Sequence, residues 1–536
     1  MIKQIWNIAA LFFLMSLSVH ANSIPDKIAN VLHQSPPKQI TQIREMGSLF
    51  SILVQVYDAR LYRPIWIDDS AKLTANGKRL LSRLNEAQSD GLNPEHYLLD
   101  KLNTLAKETP SSDPIVLELL LTLSTMQFTE DLRNGRLTPG DLQMGLPILD
   151  NPVDHQAFFA AAANGEDPVK LIDAYAPQIH IYQAMRRLMH EWQGILHEGE
   201  LTALQLSKTL NPEDPLPANF AAGILDRLAL YRLPAPQSSD IYSTAWVDAI
   251  KALQKVHGLT IDGVVGKQTL TALNMSWDAR IGKMIASMER LRWLPAHIPQ
   301  QRFIIVNVPE FKLRAFNGAL SDPELKMPVV VGKSYSRYRT PIFREVMKYV
   351  VFTPYWNIPN SILHRSIVPA IDGPEYFSKH YYEMIEHFSW TAKVHPPTPE
   401  NIEKLKNGKL LLRQTPGAHN ALGEAKFIFP NANHIYLHGT PAHSLFQQSV
   451  RAFSHGCIRV ENVPKLATWI FQEQGWDRNK VDEVIASKQP KQVNLENEVL
   501  VAILYQTAVI DSSGDIFLFD DIYGHDEHML RRLQQL

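Results

Sequence analysis

The apolar residues of this chain change period once. From Ile24 to about Trp293 they recur every three or four positions, as in "GSLFSILVQVYDARLY", "GKRLLSRLNEAQSDG" and "DPIVLELLLTLSTMQFTEDLRNG". From Arg302 they alternate or form short β-branched runs, as in "RFIIVNVPEFKLRAF", "KMPVVVGK" and "EVMKYVVFTPYWNIP". A 3.6-residue period cannot serve as a strand, nor a two-residue period as a helix, so the switch divides the chain into a helical part and a later sheet. The fold class expected is α+β and multidomain. With 536 residues and 45% hydrophobic content there is enough apolar side chain for several cores, and with one cysteine there is no internal disulfide to replace them.

Residues 1–21, ending "FFLMSLSVHA", carry an early lysine, a short apolar run and a small-x-small cleavage pattern. This is the layout of a secretory signal peptide, and the run is too short to span a bilayer comfortably. The mature protein is expected to be exported, with a periplasmic location and no membrane span after cleavage. Formal net charge is −2, with 53 basic and 55 acidic residues interspersed, which excludes the clustered basic excess of a nucleic-acid binder. Export makes the lone Cys457 informative: a thiol without a partner in an oxidising compartment is either buried and inert or kept for chemistry.

The boundaries expected are a helical scaffold over 22–235, a small helix–turn–helix module over 236–277, a connecting helix over 278–300, a mainly β domain over 301–495 and a C-terminal hairpin and helix over 496–536. Within the β domain, residues 361–414 break the strand pattern and read as a capping insertion, a lid that excludes water. In "YDARLYRPIW" the aromatics read as a plug in a helical core. "NEVLVAILYQTAVIDSSGDIFLF" reads as a hairpin turning at Ser512 to Gly514.

In "HIYLHGT" alternation puts Tyr436 and His438 on one face of a strand, and Gly439 allows the chain to bend just after. In "SHGCIRVEN", Gly456 gives Cys457 a tight approach. A thiol near its free pKa of about 8.5 is barely ionised at neutral pH, so it needs a neighbouring imidazole or cation to become a nucleophile. His438 and His455 are the candidate bases, with Arg459 adding positive potential. His434 and His438 lack a third ligand at suitable spacing, so zinc is not expected, nor any other cofactor.

Two resemblances rest on these residues. Gly258, Leu259, Asp262, Gly263, Gly266 and Thr269 resemble the signature of the peptidoglycan-binding domain family. His438-Gly439-Thr440 followed by Ser454-His455-Gly456-Cys457-Ile458-Arg459-Val460-Glu461-Asn462 resembles the active-site signature of the L,D-transpeptidases, and "YWNIPNSI", "PGAHNALGEAKFIFPN", "DIYGHD" and "YDARLYRPIW" resemble their large periplasmic members. The resemblance implies a cysteine acyltransferase of peptidoglycan biosynthesis that sustains cell shape. Cys457 would attack the third residue of a donor tetrapeptide stem, release D-alanine and pass the acyl group to an acceptor stem as a 3→3 cross-link. His438 would be the base, oriented by the Gly439 carbonyl. Gly456 and Cys457 N–H groups, with His455, would form the oxyanion hole. Arg459, Ser454, Tyr355, Trp356 and Asn462 would line the substrate site, and carbapenems would acylate the same sulfur. Partners implied are peptidoglycan stems and other cell-wall enzymes. The alternatives are an L,D-carboxypeptidase or hydrolase on the same stems, and a non-catalytic wall-binding scaffold.

Overall fold

Asp113 starts the longest helix of the helical part: its carboxylate accepts from the Val116 N–H at 3.2 Å, and Pro114 occupies the first turn, where no amide bond is lost. The helix, Pro114–Asn134, is buried on nearly every side, as its all-round apolar sequence requires. A computed structural model of the protein describes residues 23–33, 48–107, 111, 113–149, 151–196, 201–295, 301–318, 320 and 322–536; the segment 1–21, expected to be a signal peptide, lies outside the described residues. Among the described residues no helix is long and apolar enough to cross a membrane.

The chain divides into two units. The first takes in described residues of 23–138, 148–196 and 284–295 and is helical. Its central helix carries the buried carboxylate of Glu118, which accepts from the Tyr57 hydroxyl at 2.7 Å and from the N–H groups of Ile65, Trp66 and Ile67 at 2.6, 2.9 and 3.0 Å. Burial pushes this carboxyl above its usual range while the four donors pull it back. "YDARLYRPIW" therefore does more than plug a core: Tyr57 and Trp66 are fully buried, and the segment turns through left-handed Leu61 and Tyr62 to aim three amides at one side chain.

The second unit takes in 139–147, 201–283 and described residues of 301–536. The small module begins earlier than the expected residue 236. Helix Ala218–Leu230 carries Arg227, whose buried guanidinium donates to the Leu273 carbonyl at 2.7 Å and the Thr202 carbonyl at 3.0 Å, tying residues 202–230 to the module's last helix. The connecting helix runs Trp277–Arg292.

The β part contains β1 (Arg302–Asn307), β2 (Lys312–Asn317), β3 (Leu325–Gly332), β4 (Phe343–Phe352), β5 (Trp356–Asn357), β6 (Tyr382–Ile385), β7 (Val394–His395), β8 (Leu411–Gln414), β9 (Ala425–Ile428), β10 (Leu437–His438), β11 (Ala452–Ser454), β12 (Ile458–Val460), β13 (Lys491–Leu504), β14 (Ala508–Ile510) and β15 (Ile516–Leu518). Among the described residues nine of these form one sheet, ordered β11-β3-β12-β10-β9-β4-β13-β1-β2, and a further β2–β3 pairing closes it on itself. The long C-terminal apolar run is not one hairpin. Its first half, in β13, lies between β1 (parallel) and β4 (antiparallel), and only β14–β15 form the hairpin.

The inserted subdomain starts at Trp356 rather than Ser361. β5, β8, β6 and β7 form a separate four-stranded sheet over its own apolar cluster, including Ile358, Leu363, Phe377, Met384, Leu405 and Leu412.

Candidate active site

Three short strands of the large sheet present the site. β10 pairs with β12 in parallel, Leu437 opposite Ile458 and His438 opposite Arg459, and with β9 in antiparallel, Leu437 opposite Phe427 and His438 opposite Lys426. Paired residues share a face. Phe427, Leu437 and Ile458, all fully buried, therefore point into the core, and Lys426, His438 and Arg459 form a row on the other face. One step back along the same face, Tyr436 lies beside Cys457, with the Ile458 N–H donating to the Tyr436 carbonyl at 3.2 Å.

The turn after β10 requires glycine. A Cβ on Gly439 would stand 2.9 Å from the Val463 side chain, and one on Gly423, which has φ +62°, would stand 2.7 Å from the Gly439 carbonyl carbon. This close approach leaves the Gly439 carbonyl 2.5 Å from His438 Nδ1. A carbonyl can only accept, so Nδ1 carries the proton and Nε2 is the bare, basic nitrogen, without a hydrogen-bond partner among the described residues. Burial, then the Arg459 charge, lowers the His438 pKa to about 3, so the ring is neutral at pH 7.

Cys457 is a free, half-buried thiol that donates to the His434 carbonyl at 3.7 Å. Burial pushes it up to about 11, while Tyr436 and then the Arg459 charge pull the other way. His438 makes no hydrogen bond to the sulfur among the described residues: it stands diagonally across the β10–β12 ladder, where Cβ atoms lie on the order of 7 Å apart. The resting site is thus a neutral thiol and a neutral imidazole, not the ion pair expected from an adjacent ring. The register sets Tyr436, not His438, opposite Cys457, and strand alternation, which placed it on this face, was the only sequence signal for it. Tyr436→Phe removes a donor that favours the thiolate, so iodoacetamide should alkylate Cys457 about tenfold more slowly at pH 8; intact mass against time measures it.

The loop before the cysteine is braced from within. Ser454 Oγ accepts from the Gly456 N–H at 3.0 Å and donates to the Cys457 carbonyl at 2.5 Å. The Gly456 amide, expected in an oxyanion hole, is therefore already engaged. Buried Ser454, expected to touch substrate, is a loop brace. Gly456 has φ +121°, and its carbonyl accepts from Thr340 Oγ1 at 2.8 Å. The Thr340 N–H in turn donates to the Tyr523 hydroxyl at 3.1 Å, and that hydroxyl donates to the Gly332 carbonyl at 2.7 Å. The C-terminal "DIYGHD" segment thus steadies the nucleophile's loop through Thr340, a contact with no local sequence signal.

Other expected residues fall elsewhere. His455 is exposed beside the nucleophile, its ring edge-on to Tyr338 at 4.7 Å. Asn462, expected to line the substrate site, caps helix Val463–Phe471, accepting from the Lys465 N–H at 2.9 Å. Tyr355 lies under the Arg413 guanidinium at 3.9 Å, and Trp356 packs on the inserted subdomain's core; both belong to that subdomain's packing. Arg459 is half-buried, forms no ion pair among the described residues, and has its Nε buried without a hydrogen-bond partner.

In the small module the signature residues hold the fold itself. The buried amide of Gln254 donates to Asp262 at 2.9 Å and Thr269 at 3.2 Å, and accepts from the Gly263 N–H at 2.8 Å. Gly258 packs against Phe519 just past β15, where a Cβ would stand 2.7 Å from the ring. One face of the module is accordingly docked on the C-terminal hairpin.

Comparison with known families places a scaffold domain at residues 51–189, a "Putative peptidoglycan binding domain" at 224–273 and an L,D-transpeptidase catalytic domain at 301–481. A curated protein of Haemophilus influenzae, "Putative L,D-transpeptidase", is 31% identical over 311 residues, which is 56% of this chain and 61% of that protein. The crystal structure of an L,D-transpeptidase segment from Xylanimonas cellulosilytica matches at 15% identity and a TM-score of 0.19, covering 56% of this chain and all of that one. Cys457, His438 and the strands that carry them all lie inside the third matched region. Residues 301–481 are thus similar to an L,D-transpeptidase catalytic domain, preceded by segments similar to a peptidoglycan-binding domain and a scaffold domain.

Proposed function

We propose that the protein is a periplasmic L,D-transpeptidase that joins peptidoglycan stem peptides by 3→3 cross-links through a Cys457 acyl-enzyme. The observation that carries this reading is the shared sheet face of a free thiol, a neutral imidazole with a bare Nε2 and a guanidinium whose buried Nε has no partner.

Sulfur attacks the carbonyl carbon of the donor's third residue as its proton passes to His438 Nε2. The imidazolium then protonates the departing D-alanine nitrogen, leaving a thioester. The side-chain amine of the acceptor's third residue attacks that thioester, giving its proton to the ring, and the amide forms as sulfur leaves. With the Gly456 amide engaged by Ser454, the Cys457 N–H is the expected donor left for the developing oxyanion, worth about 3 kcal/mol if well aligned. Arg459 suits a substrate carboxylate because its guanidinium is short of partners. The subdomain of residues 356–414 serves as the lid that keeps water from the thioester.

Mass spectrometry of muropeptides after incubation with tetrapeptide-rich sacculi tests the proposal. Dimers joined through two third residues, with one D-alanine released per link, are expected. Tripeptides without dimers would make the protein a hydrolase, and unchanged tetrapeptides would leave a wall-binding scaffold.

A further inference from the structure

The row across the sheet, Lys426–His438–Arg459, sets a cation on each side of the imidazole. With strands about 4.8 Å apart, the Cα atoms of the two cations stand about 10 Å from one another, within reach of one peptide's charged groups. Both side chains are half-buried, and among the described residues neither forms an ion pair. Burial lowers the pKa of the Lys426 ammonium, and no opposite charge acts on it. The acidic residues nearest in sequence, Glu424 and Glu461, are exposed. Desolvating a lysine without a partner costs stability, so a row built this way fits an anion that arrives with the ligand.

From this juxtaposition we infer that Lys426 is a specificity-determining residue that binds a carboxylate of the donor stem, opposite Arg459 and across His438. The inference rests on the stem-peptide reading above and adds to it a residue and a chemical requirement. A donor stem offers two carboxylates near the reacting carbonyl, one on the side chain of a dicarboxylic diamino acid at position three and one on the terminal D-alanine. Both are monoanions, and a lysine ammonium fits either as a point charge.

Three synthetic tetrapeptide donors separate the sources: one unmodified, one with the third residue's side-chain carboxylate as carboxamide, and one with the terminal carboxylate as carboxamide. The acylation rate of Cys457 at subsaturating donor is read by intact mass for the wild type, Lys426→Met and Lys426→Arg. Methionine keeps most of the aliphatic stem and removes a desolvated charge, so the variant should fold. The wild type should lose about 10- to 100-fold on one of the two amidated donors, the range of a charge-assisted hydrogen bond. Lys426→Met should show that same loss on the unmodified donor and no further loss on the sensitive carboxamide, while Lys426→Arg retains most of the rate. Which carboxamide abolishes the lysine's effect identifies the carboxylate. Equal loss on all three donors would make Lys426 a packing residue and overturn the inference, as would no loss on any. A wild type that acylates with none of the donors would overturn the transpeptidase reading itself, an outcome distinct from both.

Discussion

Cys457→Ala should form no covalent adduct with a tetrapeptide donor or a carbapenem, and its cross-linking rate should fall by on the order of 10⁴ or more. The chain has no second thiol to take over. Burial raises this thiol, while Tyr436 and the Arg459 charge favour its ionisation. A serine hydroxyl ionises far less readily than a thiol raised to about 11, so Cys457→Ser should be nearly as inactive. Neither change should unfold the protein, because the side chain is small, half-buried and bonded only weakly to the His434 carbonyl. Intact mass after incubation reads the result: the wild type gains the acyl mass and the variants stay at their own. Adduct on Cys457→Ala would place the nucleophile elsewhere and remove the basis of the proposed mechanism.

What could be read in the sequence, and what could not, divides by the range of the interaction. Alternation in "HIYLHGT" put Tyr436 and His438 on one face, and the bend at Gly439 put a carbonyl beside the imidazole; both are decided within a few residues. The change from helical to alternating period is local as well, and it carried the fold class. Contacts that depend on which strand lies beside which were out of reach. The β10–β12 register, which sets Tyr436 rather than His438 directly beside the sulfur, joins segments about twenty residues apart. The Thr340 bond to Gly456 spans 116 residues and the Tyr523 bond to Gly332 spans 191. The same limit explains the displaced boundaries. Arg227 joins its helix to the small module by donating 46 residues ahead, and β13 enters the catalytic sheet by pairing with strands far earlier in the chain. Ser454 and Asn462 illustrate a different limit. A hydroxyl or amide beside a nucleophile reads alike from sequence whether it meets substrate or braces its own loop, and here both brace.

His438→Ala should slow acylation about 10²- to 10⁴-fold at pH 7 and, more tellingly, change the shape of its pH profile. In the wild type the ring is lowered to about 3 by burial and by Arg459, so it is neutral and able to accept a proton throughout the physiological range. The thiol, raised to about 11, holds its own proton over that range. A neutral base acting on a neutral thiol gives a rate that is level from about pH 5 to 9 and falls only as the ring protonates toward pH 3. Without the ring, reaction proceeds through the preformed thiolate, about one molecule in ten thousand at pH 7 for a thiol with that pKa. The variant's rate should then rise tenfold per pH unit and approach the wild-type rate near pH 11. Stopped-flow acylation by a carbapenem at subsaturating concentration, followed from pH 5 to 10, distinguishes the two shapes. Were the resting site instead a thiolate–imidazolium pair, the wild type would lose activity as pH falls through the thiol's depressed pKa. A wild-type profile of that form would show that the sulfur and ring exchange their proton before substrate arrives, against the diagonal separation that keeps them apart here.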